Sequence, residues 1–299
     1  MVALGLLPVL WGYTWVALKV ALADCPPFTL AALRMVPGGI LLLMVVAVLR
    51  RPVRPRAVAL TMLLGLLQGS GFVGLSVWAL VAGGAGRVSI LANTWQFWIP
   101  MMAWPILGER LRRLGWMSVL LGLCGLVLIV EPWRLHGVTS SLLVLAGGFC
   151  WAAGSIVVKV IRRRHEVDLL ALTAWQGLFG AVPLVIAAVV VEHSLPDLTR
   201  SFAWSYAFSM LISTVVCGIL WLYVLREMPA GIAGLGTMGT PVVGLLAAWA
   251  QLGETPTVVE AIGVVVVLAG LATLFAQGIP GATSSPTVAV RPVGEESTV

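Results

Sequence analysis

Charge is what this chain has least of. Asp, Glu, Lys and Arg make up 10% of its 299 residues, against roughly 25% in an ordinary soluble domain, and the mean hydropathy is +1.04. Too few charges remain to cover a water-facing surface. Histidine is scarcer still: His136, His165 and His193 are the only three, and each falls in a loop. HExxH, a GxSxG elbow and paired carboxylates inside an apolar run are all missing, so hydrolysis by a metal or a nucleophile lacks its groups and no enzyme is expected. Gly69-Ser70-Gly71 does flank a serine with glycines inside an apolar run. No base accompanies it at that depth, and a locally loosened helix explains it better. The four cysteines, Cys25, Cys124, Cys150 and Cys217, show no CxxC spacing. Neither a disulfide framework nor a metal site is expected, and no cofactor. The net charge of +6 comes from arginines in short loops and not along one face, which argues against nucleic acid as a partner. Alternation of period two is absent, so an outer-membrane barrel is disfavoured.

What is there is long apolar runs. A helix crossing roughly 30 Å of hydrocarbon needs about 20 such residues. Ten stretches qualify: 3–22, 28–49, 58–81, 86–107, 113–131, 138–160, 168–191, 201–225, 229–252 and 257–277. Glycine, proline and charge mark every break, as in DCPP at 24–27, GERLRR at 108–113 and GETPT at 253–257. The N-terminus has no basic region ahead of its apolar run and reads as a first spanning helix, not a removable signal. Residues 278–299 carry too little apolar surface to pack and read as a disordered tail. With the N-terminus inside, the inner loops hold eleven arginines and the outer loops three, Arg87, Arg134 and Arg200. That bias places both termini in the cytoplasm.

The chain repeats itself. LWGYTWVALKV at 10–20 returns as CWAAGSIVVKV at 150–160, setting Trp11 on Trp151 and the only two lysines, Lys19 and Lys159, on each other. Further on, Gly108-Glu109 matches Gly253-Glu254, Ala85-Gly86 matches Ala230-Gly231, and Gly125-Leu126 matches Gly270-Leu271, all at a spacing of 145. Each half, 1–135 and 136–277, holds five spans. Five is odd, so the second copy enters the membrane from the opposite side. The expected fold is an all-α membrane protein of ten transmembrane helices in two inverted five-helix repeats, with a site near the midplane between them.

Polar and aromatic side chains at depth are the candidate site. Seven tryptophans, Trp78, Trp104, Trp116, Trp133, Trp204, Trp221 and Trp249, fall near predicted interfaces and read as an aromatic belt. Trp11, Trp15, Trp95, Trp98, Trp151 and Trp175 lie deeper, where an indole N–H needs a partner. Trp11, Trp15 and Lys19 step by four along one face, and Trp151, Ser155 and Lys159 repeat that step. In the fourth run Ser89, Asn93, Gln96 and Pro100 share a face. Such a stripe is costly in lipid unless it meets protein or water. The ninth run answers with Gly234, Thr237, Met238 and Pro241, where small residues and proline admit close approach or a kink. Gly83, Gly84 and Gly231 would let helix ends rock. Lys19 and Lys159, near helix ends, reach the headgroups by snorkelling. Arg34 sits about a third of the way into the second span and needs carbonyls, water or a solute carboxylate. Gln68 and Gln176 are weaker polar candidates.

LWGYTWVALKVAL followed by PPFTLAALR, with the paired Gly-Glu signals after the fourth and ninth spans, resembles EamA-type proteins of the drug/metabolite transporter superfamily over about residues 3–277. The resemblance implies a ten-helix exporter of metabolites, amino acids or drugs working by alternating access in the bacterial inner membrane. Its first-helix aromatics and the stretch GFVGLSVWAL look most like the branch that exports aromatic and other amino acids. Related four-helix multidrug exporters carry protons on a glutamate in the first helix. Here Tyr13 and Thr14 stand in that region, and no carboxylate lies deep, so a facilitator is as good a reading as a proton-coupled pump. The candidate solute site is therefore Trp11, Trp15, Asn93, Gln96, Trp151, Ser155 and Thr237, with Gly83, Gly84, Pro100, Gly231 and Pro241 as hinges. The expected partners are a small organic solute and the lipid bilayer, and a monomer suffices. A broad exporter of drugs or organic cations, drawn to aromatic faces, and a receptor or scaffold without flux are the alternatives.

Overall fold

The computed structural model describes residues 2–108, 113–131, 137–227, 237 and 239–277. Among them there are helices and no strand. Six helices are long and apolar enough to span a membrane. They are α2 (Pro27–Val48), α3 (Val58–Ala82), α6 (Arg113–Val130), α7 (Val138–Arg164), α8 (Leu169–Val191) and the stretch Arg200–Trp221 that opens α9. Helix α9 runs without a break through Arg200–Ala207, Phe208–Val216 and Cys217–Glu227. The first, ninth and tenth expected spans are covered by α1 (Val2–Ala21), α10 (Gly239–Leu252) and α11 (Val258–Gln277), with shorter apolar helical stretches in each. The fourth is divided. Helix α4 (Ala85–Ala92) stops at Asn93-Thr94 and α5 (Trp95–Leu107) resumes. Gly231, Gly234, Met238 and the tail 278–299 lie outside the described residues, as does the Pro100 side chain.

The punctuation read from the sequence has physical form. Pro27 opens α2, where its missing N–H removes no helical bond. Asp168 and Thr199 accept from Ala171 N and Phe202 N at the starts of α8 and α9. Thr257 and Glu260 form a reciprocal capping box on α11, at 2.9 and 3.1 Å. Each glycine of the paired Gly-Glu signals ends a helix in the left-handed region, Gly108 at φ 72° after α5 and Gly253 at φ 68° after α10. That conformation strains any residue with a Cβ.

The helices pack through small residues, because lipid tails supply no hydrophobic force to press one apolar helix on another. Helix α6 lies along α11, where a Cβ on Gly125 would fall 2.8 Å from Gly263 O. Helix α1 lies on α10 at Gly12, and α8 crosses α3 at Gly65, Gly69 and Gly180. At the last crossing the backbones touch: a Cβ on Gly180 would overlap Gly65 O, and Ser70 Oγ donates to Gly180 O at 2.7 Å. Helix α3 is loosened there into wide, π-type turns over Gly65–Gly74, around the glycine-flanked serine. Helix α9 loosens likewise over Phe208–Val216. Outward, the bundle shows apolar surface: Val189, Val190 and Val191 are more than 60% exposed, as a lipid-facing wall requires.

Of the seven expected belt tryptophans, Trp78, Trp104, Trp116, Trp204 and Trp249 are exposed, while Trp221 packs on Trp11 with ring centres 5.8 Å apart. Trp133 lies outside the described residues. Trp175, six residues into α8, donates its indole N–H to Val53 O of the 49–57 loop at 2.6 Å.

The α3–α8 crossing sets a test of the packing. Gly180→Val should lower unfolding stability by about 1–3 kcal/mol or more by overpacking, read as a fall in thermal midpoint and monodisperse yield. Gly218→Ala, in α9 where a Cβ meets nothing within 4 Å, should change neither.

Candidate functional site

The break in the fourth span follows from competition for one carbonyl. Asn93 is buried, and its Nδ2 donates to Ser89 O at 2.8 Å. Its backbone N turns to Ile90 O and Thr94 N to Leu91 O, both at 3.1 Å and three residues back instead of four. Thr94 Oγ1 also donates to Leu91 O, at 2.6 Å. Polar side chains of this kind offer the backbone an alternative to the helical ladder, and here they tighten it into one 3₁₀-like turn. Helix α7 leaves room for the turn at Gly148, where a Cβ would lie 3.3 Å from Thr94 Oγ1. On the other flank α10 comes so close that a Cβ on Gly244 would overlap Ser89 Oγ.

Around this turn lie buried polar atoms that no protein group satisfies: Gln96 Nε2 and Oε1, Ser89 Oγ and Thr240 Oγ1. A buried polar atom without a partner costs about 1–3 kcal/mol, so a cluster of them beside a broken helix marks a place where something polar is to be met. Thr237 and Pro241 are buried at the start of the ninth-span helix, next to Thr240.

An aromatic run adjoins the turn. Trp15 on α1 meets Phe72 on α3 edge-on at 6.4 Å. Phe72 lies 4.7 Å from Trp151 on α7, and Trp151 lies 6.2 Å from Trp95, the first residue of α5. Four spans thus meet through four rings. Gln68, at the wide turns of α3, crosses to α7 and donates to Trp151 O at 3.2 Å and Ser155 Oγ at 3.3 Å. Trp15, Trp151, Ser155, Asn93 and Gln96 are thereby brought to one region. Trp11 is not among them. Its indole donates to Ser213 O of α9 at 3.2 Å, and Ser213 Oγ accepts from Arg34 Nη2 at 3.2 Å. Arg34 Nε donates to Thr214 Oγ1 at 3.0 Å.

Sequence reasoning missed Phe72 and the buried stripe Ser205, Ser209 and Ser213 on α9. Spacing by four was the available signal for the serines. Nothing in the residue types singled out Phe72 from seven other phenylalanines.

At the arginine-poor end, Lys19 does not snorkel. Its Nζ donates to Leu80 O at 2.5 Å and Gly83 O at 3.0 Å, capping the last turn of α3. Glu254, from the loop after α10, accepts from Ala85 N at 2.9 Å and Gly86 N at 3.0 Å, on the first turn of α4. The Gly83-Gly84 link is held between them. Both glycines have ordinary negative φ; what demands glycine is space, since a Cβ on Gly83 would overlap Ser140 Oγ and one on Gly84 would press Glu254. Arg87 reaches the end of α6, donating to Ile129 O and Val130 O and lying 3.5 Å from Glu260. At the opposite end Arg51 pairs with Asp168 at 3.1 Å and Arg56 donates to Glu166 O. A hollow of about 420 Å³ lies at that end, lined by Arg162, Arg163, Arg164, His165, Glu166 and Val167. Lys159, half-buried on α7, sits one turn before it. The Cys25 thiol, in the loop before α2, is pushed up to about 12 by burial and then by Glu192, so it stays a neutral, unreactive filler.

A lipid-facing helical bundle with a broken helix among buried polar groups at mid-depth defines a class: the multi-pass membrane transporter. The chain belongs to the EamA-like transporter family, whose model matches residues 1–131 and 138–276. It is 28% identical over 280 residues to "Uncharacterized transporter YoaV" of Bacillus subtilis, covering 90% of this chain and 95% of that protein. It is equally identical over 280 residues to "Probable amino-acid metabolite efflux pump" of Salmonella typhimurium, covering 89% and 91%. "Uncharacterized inner membrane transporter YedA" of Escherichia coli K12 matches at 28% over 282 residues, covering 91% and 90%. One solved crystal structure shares the fold at a TM-score of 0.67 and 19% identity, covering 92% of this chain and 97% of that one.

Glu254→Ala should remove two charge-assisted bonds, each worth about 1.5–3 kcal/mol, and lower the thermal midpoint clearly. Glu254→Gln, which can still accept one, should lose less. Equal midpoints for wild type and both variants would show that the clamp contributes nothing.

Proposed function

We propose that this protein exports small organic solutes, amino acids with aromatic or apolar side chains foremost, across the bacterial inner membrane by alternating access. The observation that carries it is the broken fourth span: the unmet amide of Gln96 and the bent backbone at Asn93 adjoin the rings of Trp15, Phe72, Trp151 and Trp95. An amphipathic solute finds there an apolar wall and a few polar groups, the usual makeup of a small-molecule site. In this reading Trp15 and Trp151 stack on the solute. Asn93, Gln96, Ser155 and Thr237 answer its polar groups. The name printed for the Salmonella relative, an amino-acid metabolite efflux pump, supports the same solute class.

The scaffold in this proposal is ten spans in two inverted halves, 1–135 and 136–277, with both termini in the cytoplasm and the arginine-rich end inside. Packing supports it. Exchanging each span for its counterpart leaves the pairings in place: α1 on α10 corresponds to α7 on the α4–α5 span, and α3 on α8 corresponds to α9 on α2. The wide turns fall in the third span of each half. On this topology the Lys19–Glu254 clamp lies outside. Gly83, Gly84, Pro100, Gly231 and Pro241 are where helix ends and breaks change angle as the halves rock. A single chain holds both halves, so a monomer is sufficient.

Purified protein in liposomes, tested with radiolabelled amino acids and organic cations with and without a pH gradient, decides the matter. Phenylalanine and leucine should move. Trp15→Ala and Trp151→Ala should cut their flux about tenfold while leaving the amount of folded protein near wild type. No flux of any amino acid would remove this reading, and parallel loss of flux and folded protein would return both tryptophans to a packing role. Flux of organic cations alone, far more sensitive to Trp15→Ala than to Asn93→Ala, would favour the cation exporter. Flux that ignores the pH gradient marks a facilitator, and flux that follows it a proton-coupled pump.

A further inference from the structure

Among the described residues, Arg34 is a cation within a span whose hydroxyl partners carry no charge. It lies seven residues into α2, about 10 Å below that helix end at 1.5 Å per residue, inside the hydrocarbon layer. A guanidinium carries five N–H donors. Here Nε and Nη2 each make one bond, to Thr214 Oγ1 and Ser213 Oγ. Both acceptors are neutral hydroxyls. Two ion pairs, Arg51–Asp168 and Arg87–Glu260, lie elsewhere. A structural arginine in a membrane ordinarily finds a carboxylate or a set of carbonyls. Arg87 shows this in the same molecule, with Ile129 O, Val130 O and Glu260 around it.

The hydroxyls orient the guanidinium without neutralising it. They stand in the wide turns of α9, where Thr214 Oγ1 in turn donates to Ser209 O at 3.1 Å. Ser213 has a second role, because its carbonyl takes the Trp11 indole N–H. One residue therefore ties a fixed cation to an aromatic face, and Trp221 extends that face. A planar fork held on one edge and open on the other fits a carboxylate two bonds at a time.

We propose that Arg34, oriented by Ser213 and Thr214, binds the carboxylate of the carried solute, with Trp11 against its apolar body. The solutes are then carboxylates and not organic cations. This rests on the transport reading above and adds to it the group that selects the substrate.

The test uses the full chain in liposomes. Exchange of radiolabelled phenylalanine is competed with unlabelled phenylalanine, phenylalaninamide and phenethylamine, which share the ring but keep or lose the carboxylate. Wild type should prefer the acid over the amide and the amine by about tenfold or more. R34Q should abolish that ratio, and R34K, which keeps the charge without the fork, should restore part of it. A purely structural role would lower all three together and leave the ratio intact. Should R34Q yield no folded protein, Ser213→Ala and Thr214→Val replace it and should narrow the ratio several-fold. Equal competition by acid and amide in wild type overturns the proposal, as does an undiminished ratio in R34Q or in both hydroxyl variants. Transport of amines but of no carboxylate overturns it while the carrier reading stands. Failure of every solute to move overturns both.

Discussion

Inside a bilayer no water waits for a backbone N–H or C=O, so each must be satisfied within the chain. This molecule departs from the helical ladder repeatedly, and side chains answer backbone groups at several of the departures and between the helices. Asn93 covers the Ser89 carbonyl where the fourth span tightens. Lys19 covers the last carbonyls of α3, and Glu254 the first amides of α4. Gln68 reaches Trp151 O, Ser70 reaches Gly180 O, and Trp11 reaches Ser213 O. A chain with 10% charged residues spends its few polar groups almost entirely on its own backbone.

That constraint links fold to transport. A helix loosened at mid-depth holds its shape only while its side-chain partners stay in register, so sliding one span past another must exchange partners, not merely break them. Gln96 is different: its amide is buried with both atoms unmet, and Ser89 Oγ and Thr240 Oγ1 are unmet beside it. Polar groups beside flexible backbone, unanswered by the protein, are what a solute or a second arrangement of the helices can answer. At Gly83-Gly84, a hinge in the proposed motion, the partners to be exchanged are Lys19 and Glu254, which tie α1, α3, α4 and the loop after α10 at one end of the bundle.

The helices were legible in the sequence because long apolar runs and glycine or proline breaks are strong local signals, and the Gly-Glu pairs mark helix ends whose left-handed glycines the structure bears out. The glycine-flanked serine announced a loosened helix, and the wide turns lie there. The fourth span looked continuous. Its stop at Asn93 depends on a side chain outcompeting one backbone amide, which periodicity does not register. The stripe idea grouped Trp11 with Trp15, whereas the Trp11 indole reaches Ser213 O of α9: period four places residues on a face without saying which helix that face meets. Lys19 went to carbonyls and not to headgroups, because α3 happens to end within reach of its stem. Phe72 was invisible, since an apolar ring in an apolar run carries no mark of what it will touch.

The pairing of α1 with α10 resembles that of α7 with α4 and α5, but the chemistry around the two pairs differs. Trp11 and Trp151 occupy matched places, yet Trp151 is met by an amide from α3 and Trp11 by a serine of α9 whose hydroxyl holds a cation. In the proposed scaffold, two inverted halves can take two arrangements of comparable energy related by a two-fold rotation, as population exchange between two states requires. A site built with the same symmetry would bind a solute equally in two orientations. Placing amide and aromatic groups on one side and Arg34 on the other removes that degeneracy, because the polar and charged ends of a solute then have different partners. In the proposed carrier, like pairing of the helices serves the motion, and unlike side chains give the cargo a direction.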